Sequence, residues 1–405
     1  MEGSTSMLTA LPTHSLTHLD LQGLHGPVHG PAVSAALARL NNLQRLRVAM
    51  QRAPCSCLAG VAQLTRLMSL ELGGYWSGSK QPLQQLLLQP LPLQVLCLSM
   101  YEHLPLLDLS HLTQLQELCD RSYNLTAVFP PQLQQLEIWR VSSKKILQPV
   151  MPLQQLRSLM FTADVDEPGQ LLSRLAQLPA LKQMWVVFDR WQPAAAAVTW
   201  SQPPQLRELA VRFLSDGPSR RQWQAILNGV AASTNLTTLW LDAVCGGDGD
   251  SNEGDGADGT WNNPCAKLAG LTTLKDLRLS DGSQLLAPGD ALALTALTGL
   301  THLALRDAGA GVGDEAAAAL AGSCQQLRHL DLHCCNLISM ACLANVAHLM
   351  QLTELQLDVN SGLTQQGLLL LTGLKRLQHL GVENNVEVTG EVVKNFWAAV
   401  RGQQL

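Results

Sequence analysis

Leu327-Arg328-His329-Leu330-Asp331-Leu332-His333-Cys334-Cys335-Asn336-Leu337 decides how this chain is read. Leucines stand at 327, 330 and 332, separated by two residues and then by one. Positions two apart on a strand face the same side. Leu330 and Leu332 therefore share one face, and His329, Asp331 and His333 share the other. The same figure returns at Leu352/Leu355/Leu357 and at Leu377/Leu380/Val382, each 25 residues after the last. The residues following each copy also match: Cys335-Asn336-Leu337, then Asn360-Ser361-Gly362-Leu363, then Asn385-Val386-Glu387-Val388.

Working outward, the motif recurs to the N-terminal end. The copies begin at Leu16, Leu43, Leu67, Leu93, Leu115, Leu133, Leu156, Leu181, Leu206, Leu236, Leu274 and Leu300, so that fifteen are present in all. The Leu115 copy is weak, because Asp120 takes its third apolar position. Most spacings fall between 22 and 27 residues; the exceptions are 18, 30 and 38. Helical stretches lie between copies, as at Asp314–Leu320 and Gly367–Leu371, and Val392–Trp397 reads as a closing helix. The 18-residue spacing precedes Leu133, where Val128-Phe129-Pro130-Pro131 reads as an extended turn in place of a helix.

A fixed period of this length resembles the leucine-rich repeat family, over essentially the whole chain. The resemblance implies one α/β solenoid over residues 1–405. It would have about fifteen parallel strands on the concave side of a horseshoe and helices or irregular turns on the convex side. Such an array explains how 405 residues, of which 81 are leucine, avoid needing one oversized core, since each repeat touches only its neighbours. The last three copies resemble the cysteine-containing subclass found in substrate-recruiting subunits of F-box ubiquitin ligases. In the N-terminal half, the equivalent ladder positions hold Leu24, Gln51, Tyr75 and Tyr101.

Composition narrows the function. A net charge of −5 gives no basic face for nucleic acid. No apolar run reaches membrane-spanning length. The first residues carry no secretion signal, so the ten scattered cysteines read as reduced thiols in the cytoplasm. Residues 243–265 form an acidic, glycine-rich insertion loop with five acidic residues between Gly246 and Gly259. Asp248, Asp250 and Asn252 have the opening spacing of a calcium loop, but Glu253 and Gly259 stand where glycine and glutamate are required, so a solvated loop is expected. Gly309-Ala310-Gly311-Val312-Gly313 lacks dinucleotide-loop spacing and reads as a turn, with Asp314 capping the next helix.

No nucleophile stands beside a base, and no cofactor is implied. His329, Asp331 and His333 are spaced too widely on a flat strand for easy metal ligation. The open face of the sheet is the more informative place. Trp185 and Trp240 share its middle column two strands apart, about 10 Å, with Ala210 between them. Arg212 and Asp242 border that slot, and Trp139 and Met160 precede it. The polar C-terminal half adds Arg278, Arg306, His329, Asp331 and Asp358. Trp and Arg dominate binding hot spots. The expected function is that of a non-enzymatic, monomeric scaffold that binds a protein partner on this face. The family resemblance also admits three narrower roles: a ubiquitin-ligase adaptor lacking its F-box, a GTPase-activating protein, or an axonemal component of a cilium.

Overall fold

The computed structural model describes residues 11–22, 29–100, 107–121, 127–142, 148–165, 174–175, 177–191, 205–214, 220–243, 263–280, 286–337, 339–383, 385 and 387–402. The acidic stretch 244–262, the ladder positions Leu24 and Tyr101, and Cys245 lie outside them. The strands of the main sheet number fifteen, one for each motif copy, and neighbours follow chain order. The chain divides into two compact units, one of residues 1–165 and 174–186, the other of residues 166–173 and 187–405.

The first unit carries strands His18–Gln22, Arg45–Pro54, Ser69–Ser77, Val95–Met100, Glu117–Asp120, Gln135–Ser142 and Ser158–Val165. Their parallel register is set by the motif: Leu19 pairs with Leu46, Leu46 with Leu70, Leu70 with Leu96, and Leu96 with Leu118. Each motif leucine thus stacks on its counterpart one repeat away. Leu46, Leu70 and Leu96 are fully enclosed. Burying one such side chain is worth about 1.5–3 kcal/mol, so the repeated triplet supplies most of the drive to stack. The helix Gly30–Ala38, the 3-10 turn Cys55–Gln63 and the helix Gln81–Leu87 turn Val33, Leu37, Leu58, Leu83 and Leu86 inward. Asp120 is also buried, at the place of a motif leucine. The segment after Val128 is helix-free, as its prolines require.

The second unit carries strands Glu208–Phe213, Thr238–Ala243, Asp276–Leu279, His302–Leu305, His329–Asp331, Glu354–Gln356 and His379–Gly381. The strand Gln183–Trp191 spans the division. Leu239, Leu277, Leu303, Leu330, Leu355 and Leu380 form one continuous column. One backbone carbonyl per repeat accepts two N–H groups from the next repeat: Lys275 O takes those of Thr301 and His302, and Arg328 O those of Thr353 and Glu354. Thr301 and Thr353 add their hydroxyls to the same carbonyls, at 3.0 and 2.9 Å. These bonds are the nearest-neighbour coupling on which a repeat array depends. A stacked Phe188–Phe213 pair (centroids 5.2 Å apart) and an edge-on Trp223 (5.6 Å from Phe213) fill the interior beside the helix Arg220–Ala231.

The expected helices are present at Asp314–Ser323, Gln365–Leu370 and Gly390–Val400. One expectation is corrected. Gly309–Gly313 is a short strand paired with Cys335–Asn336, and Gly313 rather than Asp314 is the cap, with Asp314 already helical. The ladder positions behave as the motif implies. Asn360 Nδ2 donates to the carbonyls of Leu332, Leu357 and Asp358, at 2.8, 3.1 and 3.2 Å. Cys335 Sγ donates to Leu305 O at 3.0 Å, and Asn385 Oδ1 accepts from Asn360 N at 3.0 Å. The residues just before these turns, Asp307, Cys334 and Val359, have φ of 53°, 51° and 58°. This left-handed step ends each strand after three or four residues. Where the ladder holds Gln51 or Tyr75, the chain does not turn there. Its backbone groups are satisfied by further pairing, Met50 with Gly74 and Gln51 with Tyr75, and the strands run to ten and nine residues.

Candidate functional site

The face of the sheet opposite the leucines is lined by the variable residues of each motif. In the second unit its first column is Glu208, Thr238, Asp276, His302, His329, Glu354 and His379, and its middle column includes Ala210, Trp240, Arg278, Ala304, Asp331 and Gln356. Register alone brings them together, because each stands next to a motif leucine along its strand and so faces the opposite side.

Trp240 and Arg278 are cross-strand partners, and the Arg278 guanidinium carbon lies 4.1 Å from the indole centroid. Arg278 is itself held flat by Asp276, with Nε and Nη2 each donating at 3.0 Å to the two carboxylate oxygens. A bidentate pair fixes a guanidinium plane as a single contact cannot. The indole therefore presents one face to Arg278, which alters the expected slot: an aromatic–cation pair stands where an open indole wall was read. Arg212 and Asp242, also cross-strand partners, close a 3.1 Å ion pair on the next column.

Further along, His302 and His329 stack with centroids 5.8 Å apart, and His329 Nδ1 lies 3.0 Å from Glu354 Oε2. Burial holds the His302 imidazole below its ordinary pKa, and His329, Arg278 and Arg328 push the same way against Asp276. Burial alone would raise the Glu354 carboxyl; the bond to His329, its charge and a bond from Gln356 outweigh that and hold it below the ordinary value.

Asp331, expected on the open face, is 0% exposed. Its Oδ2 accepts from Arg306 Nε, and its Oδ1 accepts from the backbone N–H of His333 at 3.0 Å. It offers a partner no surface and instead orients Arg306. Asp358 is similarly engaged, its Oδ1 accepting from the N–H of Glu383. Among the described residues no group of three or more His, Cys, Asp or Glu is arranged to hold a metal ion.

In the first unit Trp139 is 40% and Trp185 36% exposed. Trp139 Nε1 donates to Glu137 Oε1 at 2.8 Å, and Arg121 covers its ring at 5.3 Å while its Nε pairs with the same carboxylate at 2.9 Å. Met160, half-buried, is the register partner of Glu137. Trp185 belongs to this unit and Trp240 to the other. The sequence reading places His302 and Glu137 in the exposed columns without assigning them a role, and does not reach Arg121 or Asp276. Their signal was present in the motif register, since each lies in an outward column next to a residue that was singled out.

No family model matches the chain, and no curated protein matches it. Solved structures do. An internalin, InlF of Listeria monocytogenes, is 17% identical with a TM-score of 0.46, over 92% of this chain and 87% of that one. A leucine-rich-repeat protein of Leptospira interrogans is 16% identical with a TM-score of 0.48, over 99% and 90%. A chain of the yeast Rad7–Elc1 complex is 14% identical with a TM-score of 0.49, over 72% and 76%. Likenesses this distant carry no argument about activity. No helix among the described residues is long and apolar enough to cross a membrane. The parallel strands in motif register, with helices and turns returning between them, are by themselves a leucine-rich-repeat fold.

Proposed function

We propose that the protein is a non-enzymatic scaffold that binds a protein partner on the open face of its sheet. One observation carries this reading: the Trp240–Arg278 pair, a flat aromatic backed by a cation that Asp276 locks in place. Such a rigid amphipathic surface loses little side-chain entropy on binding, and Trp and Arg are the residue types most enriched at hot spots. Arg212, Asp242 and His329 form the polar surround that steers and selects the partner. Asp331 works from beneath by orienting the exposed Arg306, which with Asp358 adds to the polar surface. In the first unit, Trp139, Met160 and Trp185 offer a second patch for a protein partner. The free cysteines among the described residues, six of them buried, suit a reducing compartment such as the cytoplasm. Cys335 on the ladder suits the cysteine-containing repeat subclass.

The test is comparative affinity capture from native extract, followed by mass spectrometry. Wild type is set against Trp240→Ala/Arg278→Ala and against Leu369→Ala, an exposed position on the helix Gln365–Leu370. The reading predicts a partner lost from the double variant and kept by Leu369→Ala. Equal recovery from all three chains contradicts it.

A further inference from the structure

Cys97 and Cys119 lie on the same open face, in the first unit. They are register partners on the adjacent parallel strands Val95–Met100 and Glu117–Asp120. Paired positions on neighbouring strands are about 4.8 Å apart, within the Cα range that a disulfide spans. Their side chains hydrogen-bond to each other, and Ser99 Oγ lies 3.7 Å from Cys97 Sγ. Glu71 pairs with Cys97 on one side and Glu137 with Cys119 on the other, and Arg121 stands close enough to act on both thiols.

Both thiols are partly exposed, whereas Cys55, Cys57, Cys265, Cys324, Cys335 and Cys342 are buried. Burial pushes the Cys57 and Cys324 thiols to about 11 and those of Cys335 and Cys342 to about 12. Cys97 goes the other way. The hydrogen bond from Cys119 brings it to about 7, against the effect of burial, with Ser99 and Arg121 helping and Glu71 opposing. Cys119 is correspondingly raised, first by that same bond. One sulfur thus holds the thiolate while its neighbour keeps the proton, which is the division of labour that thiol–disulfide exchange needs.

We propose that Cys97 and Cys119 form a redox-active dithiol on the open sheet face, closed to a disulfide by small disulfides of the glutathione class. The Cys97 thiolate attacks one sulfur of glutathione disulfide. Its S–S bond breaks, a mixed disulfide forms on Cys97, and one glutathione thiolate leaves. Cys119 then releases its proton to water and attacks the Cys97 sulfur, expelling the second glutathione thiolate. Both leaving thiolates take up protons. Two protein thiols are oxidised and one glutathione disulfide is reduced to two thiols. The product is a covalent staple between two neighbouring repeats, and glutathione in excess reverses it.

The full-length chain is incubated in glutathione redox buffers, quenched in acid, alkylated and mapped by peptide mass spectrometry. The expected result is a Cys97–Cys119 disulfide, seen as the loss of two hydrogens. Cys119→Ser should instead accumulate a glutathione adduct on Cys97, and Cys97→Ser should leave Cys119 unmodified. Separately, iodoacetamide at neutral pH should label Cys97 of the folded wild type about tenfold faster than Cys334, the other partly exposed thiol whose pKa moves, in its case upward, and the difference should vanish in denaturant. That rate comparison needs no variant to fold. Cys97 labelling no faster than Cys334, or adducts that form on Cys97 of wild type without proceeding to the disulfide, would overturn the proposal.

Discussion

The guanidinium carbon of Arg278 lies 4.1 Å from the Trp240 ring centroid while its Nε and Nη2 are held by Asp276. The three residues form a unit in which the carboxylate positions the cation and the cation covers the indole. Asp276→Ala should therefore weaken partner binding although Asp276 is half-buried and makes its contacts within the chain. The expected loss is about 1–2 kcal/mol, or roughly tenfold in affinity, as a loss of pre-organisation. Titration of the captured partner against wild type and Asp276→Ala reads it, and an unchanged affinity would show that Arg278 holds its place without the carboxylate.

Asn360 tests the ladder. Its side chain is 2% exposed and closes three backbone carbonyls. Asn360→Ala takes the side-chain donor from the Leu332 carbonyl, while Asp358 O keeps the N–H of Cys334 and Leu357 O keeps Asn385 Nδ2, at a cost of about 1–3 kcal/mol. Because repeats couple to their neighbours, the loss should be local. Hydrogen exchange should quicken in residues 327–402 and stay unchanged in the first unit.

Val359 is a β-branched residue at φ 58°, in a region that costs such side chains about 1–2 kcal/mol. It is exposed, so its packing contributes little. Val359→Asn should raise stability by about 1 kcal/mol, seen as a shift of the urea midpoint for the C-terminal repeats. A lower midpoint would mean that Val359 makes contacts worth more than its strain.

The Arg306–Asp331 pair predicts an asymmetry. Arg306→Ala takes both partner and cover from the Asp331 carboxylate and should cost about 1.5–3 kcal/mol. Arg306→Ala/Asp331→Asn removes the stranded charge and should recover part of that. Denaturant unfolding of the two variants gives the coupling directly. A double variant less stable than Arg306→Ala would contradict the assignment.

Acid should loosen the C-terminal repeats. His302 has its folded pKa below the ordinary 6.5, so the unfolded chain takes up its proton more readily, and stability is lost as pH falls below that value. Glu354 is also depressed, from 4.5, so its contribution is present above that value and disappears as pH falls through the lower folded value. Wild type should melt at lower temperature at pH 5.5 than at pH 7, and His302→Gln should show a smaller drop. Equal drops would remove His302 from the account.

The fold was legible in the sequence because a strand repeat is written in the spacing of its leucines: Leu327, Leu330 and Leu332 fix register, face and neighbours at once. The ladder was legible for the same reason at Cys335, Asn360 and Asn385. Strand length was not, since it depends on a left-handed residue that any of Asp307, Cys334 or Val359 supplies without a glycine to mark it. Nor were the commitments of the charges. The motif puts Asp331 and Arg278 on the open face, but whether each meets solvent or a neighbour is decided by side-chain reach across strands. Arg306 reaches over Asp331 and encloses it, and Asp276 reaches Arg278 along its own strand. The sequence likewise places Cys97 beside Cys119 without saying which one carries the thiolate.

Side-chain oxidation footprinting of the purified complex tests the central claim most directly, because it reports on the indole and imidazole rings themselves. Partner binding on the open face should protect Trp240, His302 and His329 and leave Leu369, exposed on the helix Gln365–Leu370, oxidised as in the free protein. Protection of Leu369 with Trp240 and His329 unprotected would contradict it and move the binding surface to the helical side.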